Sequence, residues 1–224
     1  MKITWYGHSA IMIDDSIKIL IDPFIENNPL APVKWQDLKP DLILVTHGHG
    51  DHLGNAIDIA KKNDIPVVAI YELAEYLSSK GVNSIGMNFS GTFEFKGKKI
   101  TMVPALHSAG ISEDNFQHSG GLPCGYVING SKIIYHAGDT GIFGDMKIIG
   151  EIYNPEISLL PIGGFFTMSI KEAVYAAKML KSKYVIPIHY NTFDLIKQNP
   201  EELKKDLMGV ADVIILNPGE TKEF

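Results

Sequence analysis

Four apolar runs in this chain lead into the same kind of residue. LILVT (42–46) runs into His47, ITMVPAL into His107, KIIYHAG into Asp139 and YVIPI into His189. Short runs rich in Ile, Val and Leu, apolar on both faces, predict buried strands. Such strands must be covered on both sides, which calls for a layered α/β architecture. Loops just past strand ends are where a rigid sheet holds its chemistry. Four strands that each deliver a metal-capable side chain to that position therefore predict one shared site.

The rest of the chain fills in the layers. KITWYG, AIMIDD and KILIDP are short alternating or β-branched runs broken by turn residues, which predicts an opening antiparallel meander. GNAIDIAKKN reads as helix, IPVVAI as strand, and YELAEYLSSK as a helix closed by Gly81. TFEFKGKKITMVPAL reads as a hairpin turning at Gly97, and CGYVING pairs with SKIIYHAG through an Asn129-Gly130 turn. ISLLPI and YVIPI bracket the helix SIKEAVYAAKMLKS, where Ser169 and Glu172 form a capping box. NPEELKKDLMG is a further helix, capped by Asn199, with Pro200 in its first turn and Gly209 past its end. DVIILNPG reads as a last strand. The expected fold is α/β: two mixed sheets packed together with helices outside, four layers in one domain spanning 1–224.

Charge narrows the function. The net charge is −6, and all 20 basic residues are lysine. Without arginine no guanidinium fork can grip a phosphate or carboxylate, so an anionic group would need lysine, histidine, backbone N–H groups or a metal. Broad nucleic-acid binding through a basic face is disfavoured. No run of about 18 apolar residues predicts a membrane span. Met1 is followed by KITWYGHSA rather than by a basic stretch and an apolar core, so no signal peptide is read. With a single thiol, Cys124, a cytoplasmic location is expected. The sequence leaves a homo-oligomer open.

THGHGDH (46–52) concentrates His47, His49, Asp51 and His52 in one turn. Imidazole with carboxylate suits zinc, iron, manganese and similar divalent ions, and no nearby thiolate points to a soft-metal site. Gly48 and Gly50 are expected to let the turn bend and approach other backbone closely. Adjacent Asp51 and His52 diverge, so they can serve a second ion while His47 and His49 serve the first.

These residues, their order and their spacing resemble the metallo-β-lactamase superfamily. THGHGDH, the later His107, GDT with Asp139, the late His189 and ILIDP with Asp22 all match its pattern. The GHS, YHAGDT, PIGGFFTM and PIHYNTF stretches are similar to a poorly characterised metal-dependent hydrolase subfamily close to the ascorbate-phosphate lactonase branch. The resemblance implies an αβ/βα sandwich of two similar halves and two divalent ions, zinc first, with manganese, iron or nickel as alternatives. His47, His49 and His107 would hold one ion, Asp51, His52 and His189 the other, and Asp139 would bridge them. A water shared by such ions ionises at a pKa near about 7, so a bridging hydroxide would attack the substrate. The implied activity is hydrolysis of a small-molecule ester, lactone or phosphodiester. The stretch from Asp139 to His189 is too short for the inserted domain of RNA-processing relatives. A redox iron enzyme resembling persulfide dioxygenases, or a non-catalytic metal-binding module, are the alternatives.

Other residues carry lesser expectations. Asp51, His8 and His118 are the catalytic candidates, His8 as a substrate contact or proton donor and His118 as a substrate contact from a long polar loop after His107. Asp22 is expected to orient ligand loops and His136 to pack or brace behind them. Cys124 is expected to be a small buried hydrophobe. Gly163 and Gly164 would allow close backbone approach. Phe165, Phe166 and Met168 either wall the site or pack the core, with the core favoured. Thr46 and Thr140 adjoin ligands and can brace them; Asn191 is a rim candidate.

Overall fold

The computed structural model describes residues 1–113 and 116–224, with Phe116 and Gln117 described by their backbone alone. The chain divides into two compact units, one of residues 1–91, 108–123 and 216–224, the other of 92–107 and 124–215.

Unit 1 is built on a seven-stranded sheet. Its strands in chain order are β1 (Lys2–Trp5), β2 (Ile11–Asp15), β3 (Ile17–Ile21), β4 (Leu42–Leu44), β5 (Val67–Ile70), β6 (Ser84–Met87) and β16 (Thr221–Glu223), and the spatial order is β16-β1-β2-β3-β4-β5-β6. The first four positions pair antiparallel and β3 to β6 pair parallel. The predicted meander is present. Leu42, Ile43 and Leu44 are fully buried, as a strand covered on both faces requires. Helices α1 (Gly50–Leu53), α2 (Ala56–Asn63) and α3 (Tyr71–Ser79) belong to this unit. On α2, Ala56, Ile59 and Ala60 are buried at helical spacing while Lys61 and Lys62 complete its last turn. A two-stranded pair, β9 (Ile111–Glu113) with β10 (Phe116–His118), runs where the sequence reading expects an irregular polar loop. Alternating polarity there is too short to register against its glycines and serines.

Unit 2 is built on a second seven-stranded sheet: β7 (Thr92–Phe95), β8 (Lys98–Pro104), β11 (Cys124–Asn129), β12 (Ile133–His136), β13 (Ile157–Pro161), β14 (Tyr184–Ile188) and β15 (Asp212–Val213), in the order β15-β14-β13-β12-β11-β8-β7. β7, β8, β11 and β12 pair antiparallel; β12 to β15 pair parallel. The hairpin at Gly97 forms as predicted. The next hairpin pairs Asn129 with Ile133, so its loop is Gly130–Lys132 rather than a two-residue Asn-Gly turn. DVIILNPG contributes only Asp212–Val213 as strand. Unit 2 also contains α4 (Met146–Tyr153), α5 (Ile170–Leu180) and α6 (Pro200–Asp206). Ser169 and Glu172 make the full capping box on α5, and the Asn199 side chain caps α6. No described helix is long and apolar enough to cross a membrane.

Candidate metal centre

In unit 1 the site begins where β4 stops. Asp22, fully buried at the end of β3, accepts the Thr46 backbone N–H at 2.8 Å and the Thr46 hydroxyl at 2.7 Å. The same carboxylate accepts the His52 Nδ1–H at 2.8 Å. One carboxylate thus ties the start of THGHGDH to its end. Because the Thr46 hydroxyl hydrogen goes to Asp22, the His47 Nδ1–H donates to Thr46 Oγ1 at 3.0 Å. Both His47 and His52 therefore carry their proton on Nδ1, which leaves Nε2 as the atom that could ligate a metal, the arrangement usual in metal-binding imidazoles.

Short distances follow. His47 Nε2 lies 2.9 Å from His49 Nδ1. The candidate ligand atoms of His8, Asp51 and His52 lie within 4.8 Å of one another. His8 is fully buried and its Nε2 sits 3.1 Å from Asp51 Oδ2. Gly48 packs so tightly that a Cβ there would meet Ile111 Cγ1 at 2.5 Å. Gly50 faces open space and begins α1, so close approach is the work of Gly48 alone. Ser108, which the sequence reading does not single out, places Oγ 3.4 Å from His49 Nε2.

In unit 2 the Asp139 carboxylate faces two imidazoles. Asp139 Oδ2 is 2.9 Å from His189 Nε2 and 3.6 Å from His107 Nε2. Thr140, next to Asp139, accepts the Leu106 N–H at 3.0 Å through its hydroxyl, while the Gly141 N–H donates to the Leu106 carbonyl at 2.9 Å. These two bonds lock the approach to His107 onto the loop of Asp139. His136 accepts the Gly138 N–H at 3.1 Å on Nδ1 and braces that loop from within.

The donor set fits divalent ions. Bonds of about 2.0–2.1 Å to a tetrahedral centre put neighbouring ligand atoms about 3.3 Å apart. The spacings within each unit, 2.9 Å and 3.6 Å among them, bracket that edge. His8, Asp22 and His189 hold φ of 54°, 46° and 54°. Non-glycine residues in the left-handed region are strained and concentrate at functional sites.

A model of the beta-lactamase superfamily domain matches residues 18–190. The chain belongs to the beta-lactamase superfamily. The UPF0173 metal-dependent hydrolase of Methanosarcina mazei is 52% identical over 224 residues, covering 99% of this chain and 97% of its own. The one from Archaeoglobus fulgidus is 48% identical over 229 residues, covering 100% and 99%. Among solved structures, Igni18, a metallo hydrolase from Ignicoccus hospitalis, matches with a TM-score of 0.90 at 39% identity and covers 100% of this chain and 98% of its own. The two mixed sheets with their helices are the two halves of the metallo-β-lactamase fold that the sequence predicts.

The remaining candidates of this superfamily member separate cleanly. Asp22 and Thr46 anchor the histidine turn. Cys124 is buried, and Met168 packs in the core. Phe165 and Phe166 do not: they are 64% and 50% exposed. Gly163 lies where a Cβ would meet the His189 carbonyl at 2.6 Å. The Gly163 carbonyl also accepts the Gln198 side-chain N–H at 3.2 Å, a partner without sequence signal. His118 is exposed on β10 with its ring 6.5 Å from that of Tyr76. Among the described residues it joins no group of metal-capable side chains. Asn191 is exposed and accepts the Gln198 N–H at 2.8 Å.

Proposed function

We propose that the chain is a dinuclear metal-dependent hydrolase acting on a small ester, lactone or phosphodiester, with 1–224 working as one domain. The observation that carries this reading is the geometry within each unit. Imidazole and carboxylate ligand atoms stand at coordination-edge spacing, with the Nδ1 protons of His47 and His52 already committed to Thr46 and Asp22. His47, His49 and His107 would hold one ion, Asp51, His52 and His189 the other, with Asp139 shared. Zinc is the first choice; manganese, iron and nickel share the donor preferences. When bound, such ions acidify a shared water toward a pKa of about 7 and polarise the substrate oxygen.

The chain's own residues do the rest. Asp22 fixes the orientation of His52 and, through Thr46, of His47. His8 holds a proton against Asp51, a position from which a departing alkoxide is protonated. His118 serves as a contact for the outer part of the substrate.

The test is a panel of phosphodiesters, lactones and esters assayed with zinc, manganese, iron and nickel. His49→Ala is expected to lose metal-dependent hydrolysis down to background while its circular dichroism stays native. Wild-type-like turnover in that variant sinks the mechanism, as does redox-active iron at full occupancy with no hydrolysis.

A further inference from the structure

We infer that the substrate is neutral and carries an apolar, ring-sized group, which Phe165 and Phe166 seat. This deepens the hydrolase reading and rests on it.

The first support is where cations are missing. The stretches 3–17, 19–33, 40–60, 100–131, 133–146, 148–170 and 184–196 contain no lysine, and the chain has no arginine. These stretches hold His8, Asp22, the whole histidine turn, His107, Asp139, the Phe165–Phe166 loop and His189. Two of the lysines bordering them pair with local carboxylates: Lys197 with Asp194 at 2.8 Å and Lys132 with Glu156 at 3.0 Å. A phosphodiester here would have to be held by the ions, imidazoles and backbone N–H groups alone, without the cationic side chain that commonly grips a phosphate. These loops supply carboxylates and imidazoles instead.

The second support is what the loops of unit 2 do present. Leu106, Phe165, Phe166, Phe193 and Leu195 are 61%, 64%, 50%, 40% and 60% exposed. Each lies on a segment tied to a ligand. Leu106 precedes His107 and is held on both backbone groups by Thr140 and Gly141. Phe193 and Leu195 follow His189. The phenylalanine loop is pinned at three points: the Met168 N–H donates to the Thr140 carbonyl at 3.0 Å, the Gly164 N–H to the Met168 carbonyl at 3.0 Å, and Gln198 to the Gly163 carbonyl. The two rings meet edge to face at 4.8 Å, forming a fixed apolar corner. Large apolar side chains exposed to water, on pinned segments that also carry the proposed ligands, mark a binding surface.

For an ester the reaction balances without a co-reactant. The carbonyl carbon gains the oxygen of one water, its bond to the alkoxy oxygen breaks, and the water's protons end on the acid and the alcohol. The apolar group is either the acyl or the alcohol part.

The experiment compares the metal-loaded enzyme on 2-naphthyl acetate, methyl acetate and bis(p-nitrophenyl) phosphate, in wild type, Phe165→Ser and Phe166→Ser. Both rings are solvent-exposed, so the variants are expected to fold. The naphthyl-to-methyl ratio of kcat/KM is expected to fall about tenfold per ring removed. Binding of the non-hydrolysable 2-acetonaphthone, read by saturation-transfer NMR on the same samples, is expected to weaken in parallel. An unchanged ratio, or preferential cleavage of the phosphodiester, overturns the neutral, apolar assignment while leaving the hydrolase standing. If nothing is hydrolysed but ketone binding still depends on both rings, the hydrolase reading fails and the apolar seat survives. If the variants change only the sedimentation of the protein, the patch joins two copies of the chain and the proposal is wrong.

Discussion

The two units share one strand grammar and place chemistry on it differently. Reading each sheet from its antiparallel edge, unit 1 runs β16-β1-β2-β3-β4-β5-β6 and unit 2 runs β7-β8-β11-β12-β13-β14-β15. After the second strand stand His8 and His107. After the fourth stand Asp22 and Asp139. After the fifth come THGHGDH in unit 1 and IGGFF in unit 2. After the sixth, unit 1 enters α3 at once with Tyr71, leaving no loop, whereas unit 2 places His189 in the left-handed region before a loop. The frame fixes which positions can carry chemistry. The residue at each position decides whether it becomes a ligand, an anchor or an apolar wall.

The sharpest test of this comparison is the aspartate pair. Asp139 faces two Nε2 atoms, while Asp22 faces donors from Thr46 and His52. Asp139→Asn removes the charge of a proposed metal ligand, and hydrolysis is expected to drop by at least about 10³-fold, more than loss of a partner that only orients a ligand produces. Asp22→Asn acts indirectly. Its amide would donate to His52 Nδ1, moving the ring proton to Nε2 and removing that lone pair from the site. Metal affinity, read by chelator competition, is expected to fall about 10–100-fold. Equal affinity and equal activity losses in the two variants would erase the distinction between ligand and anchor.

A second test uses glycines at the fifth strand end of each unit. Gly163→Ala drives a Cβ into the His189 carbonyl, backbone that cannot swing aside. A destabilisation of about 1–3 kcal/mol is expected in urea unfolding. Gly48→Ala meets Cγ1 of the buried, β-branched Ile111 at 2.5 Å, with the Ala109 and Gly110 carbonyls at 3.3 and 3.4 Å, and is expected to lose a similar amount. Gly50→Ala meets nothing within 4 Å at the start of α1, so no loss is expected, with up to about 1 kcal/mol of gain from helix propensity. A severe Gly50→Ala defect would mean that the turn depends on both glycines, as the sequence alone suggests.

That last point shows what could and could not be read beforehand. The strand ends at His47, His107, Asp139 and His189 were legible because apolar runs are long-range constraints written locally. The helix caps were legible because the Ser169-Glu172 capping box and the Asn199-Pro200 start are local chemistry. Asp22 as an anchor came from resemblance rather than from its surroundings in sequence; its partners Thr46 and His52 lie across a strand crossover. Ser108 and Gln198 carried no signal at all, since a serine or glutamine acquires a role only from what the fold sets beside it. β6, α4 and β16 were also unread. Ser84, Ile85 and Gly86 of β6 are only partly buried or exposed, and α4 leaves Ile148 and Ile152 51% and 66% exposed, so neither shows a clean polar and apolar alternation. For Phe165 and Phe166 the sequence left a site wall and the core both open and favoured the core, because aromatic residues read as packing until their exposure is known; both are at least half exposed.

The smallest expected effect concerns how the helices start. In unit 2, α5 and α6 begin with side-chain caps, from Ser169 and Asn199. In unit 1 no cap side chain bonds into α1, α2 or α3. Asn55, at the start of α2, instead accepts the Glu26 N–H at 2.9 Å and so holds the loop after Asp22. Ser169→Ala is expected to lower stability by about 1 kcal/mol, the ordinary worth of a cap. Because α5 follows the phenylalanine loop, whose Gly164 and Thr140 bonds do not involve Ser169, naphthyl ester selectivity is expected to hold. Asn55→Ala frees the 23–28 loop rather than the helix, so its effect is expected in hydrogen exchange at the Glu26 amide more than in global unfolding. A larger global loss from Asn55→Ala than from Ser169→Ala would show that unit 1 depends on its loop ties as much as unit 2 depends on its helix caps.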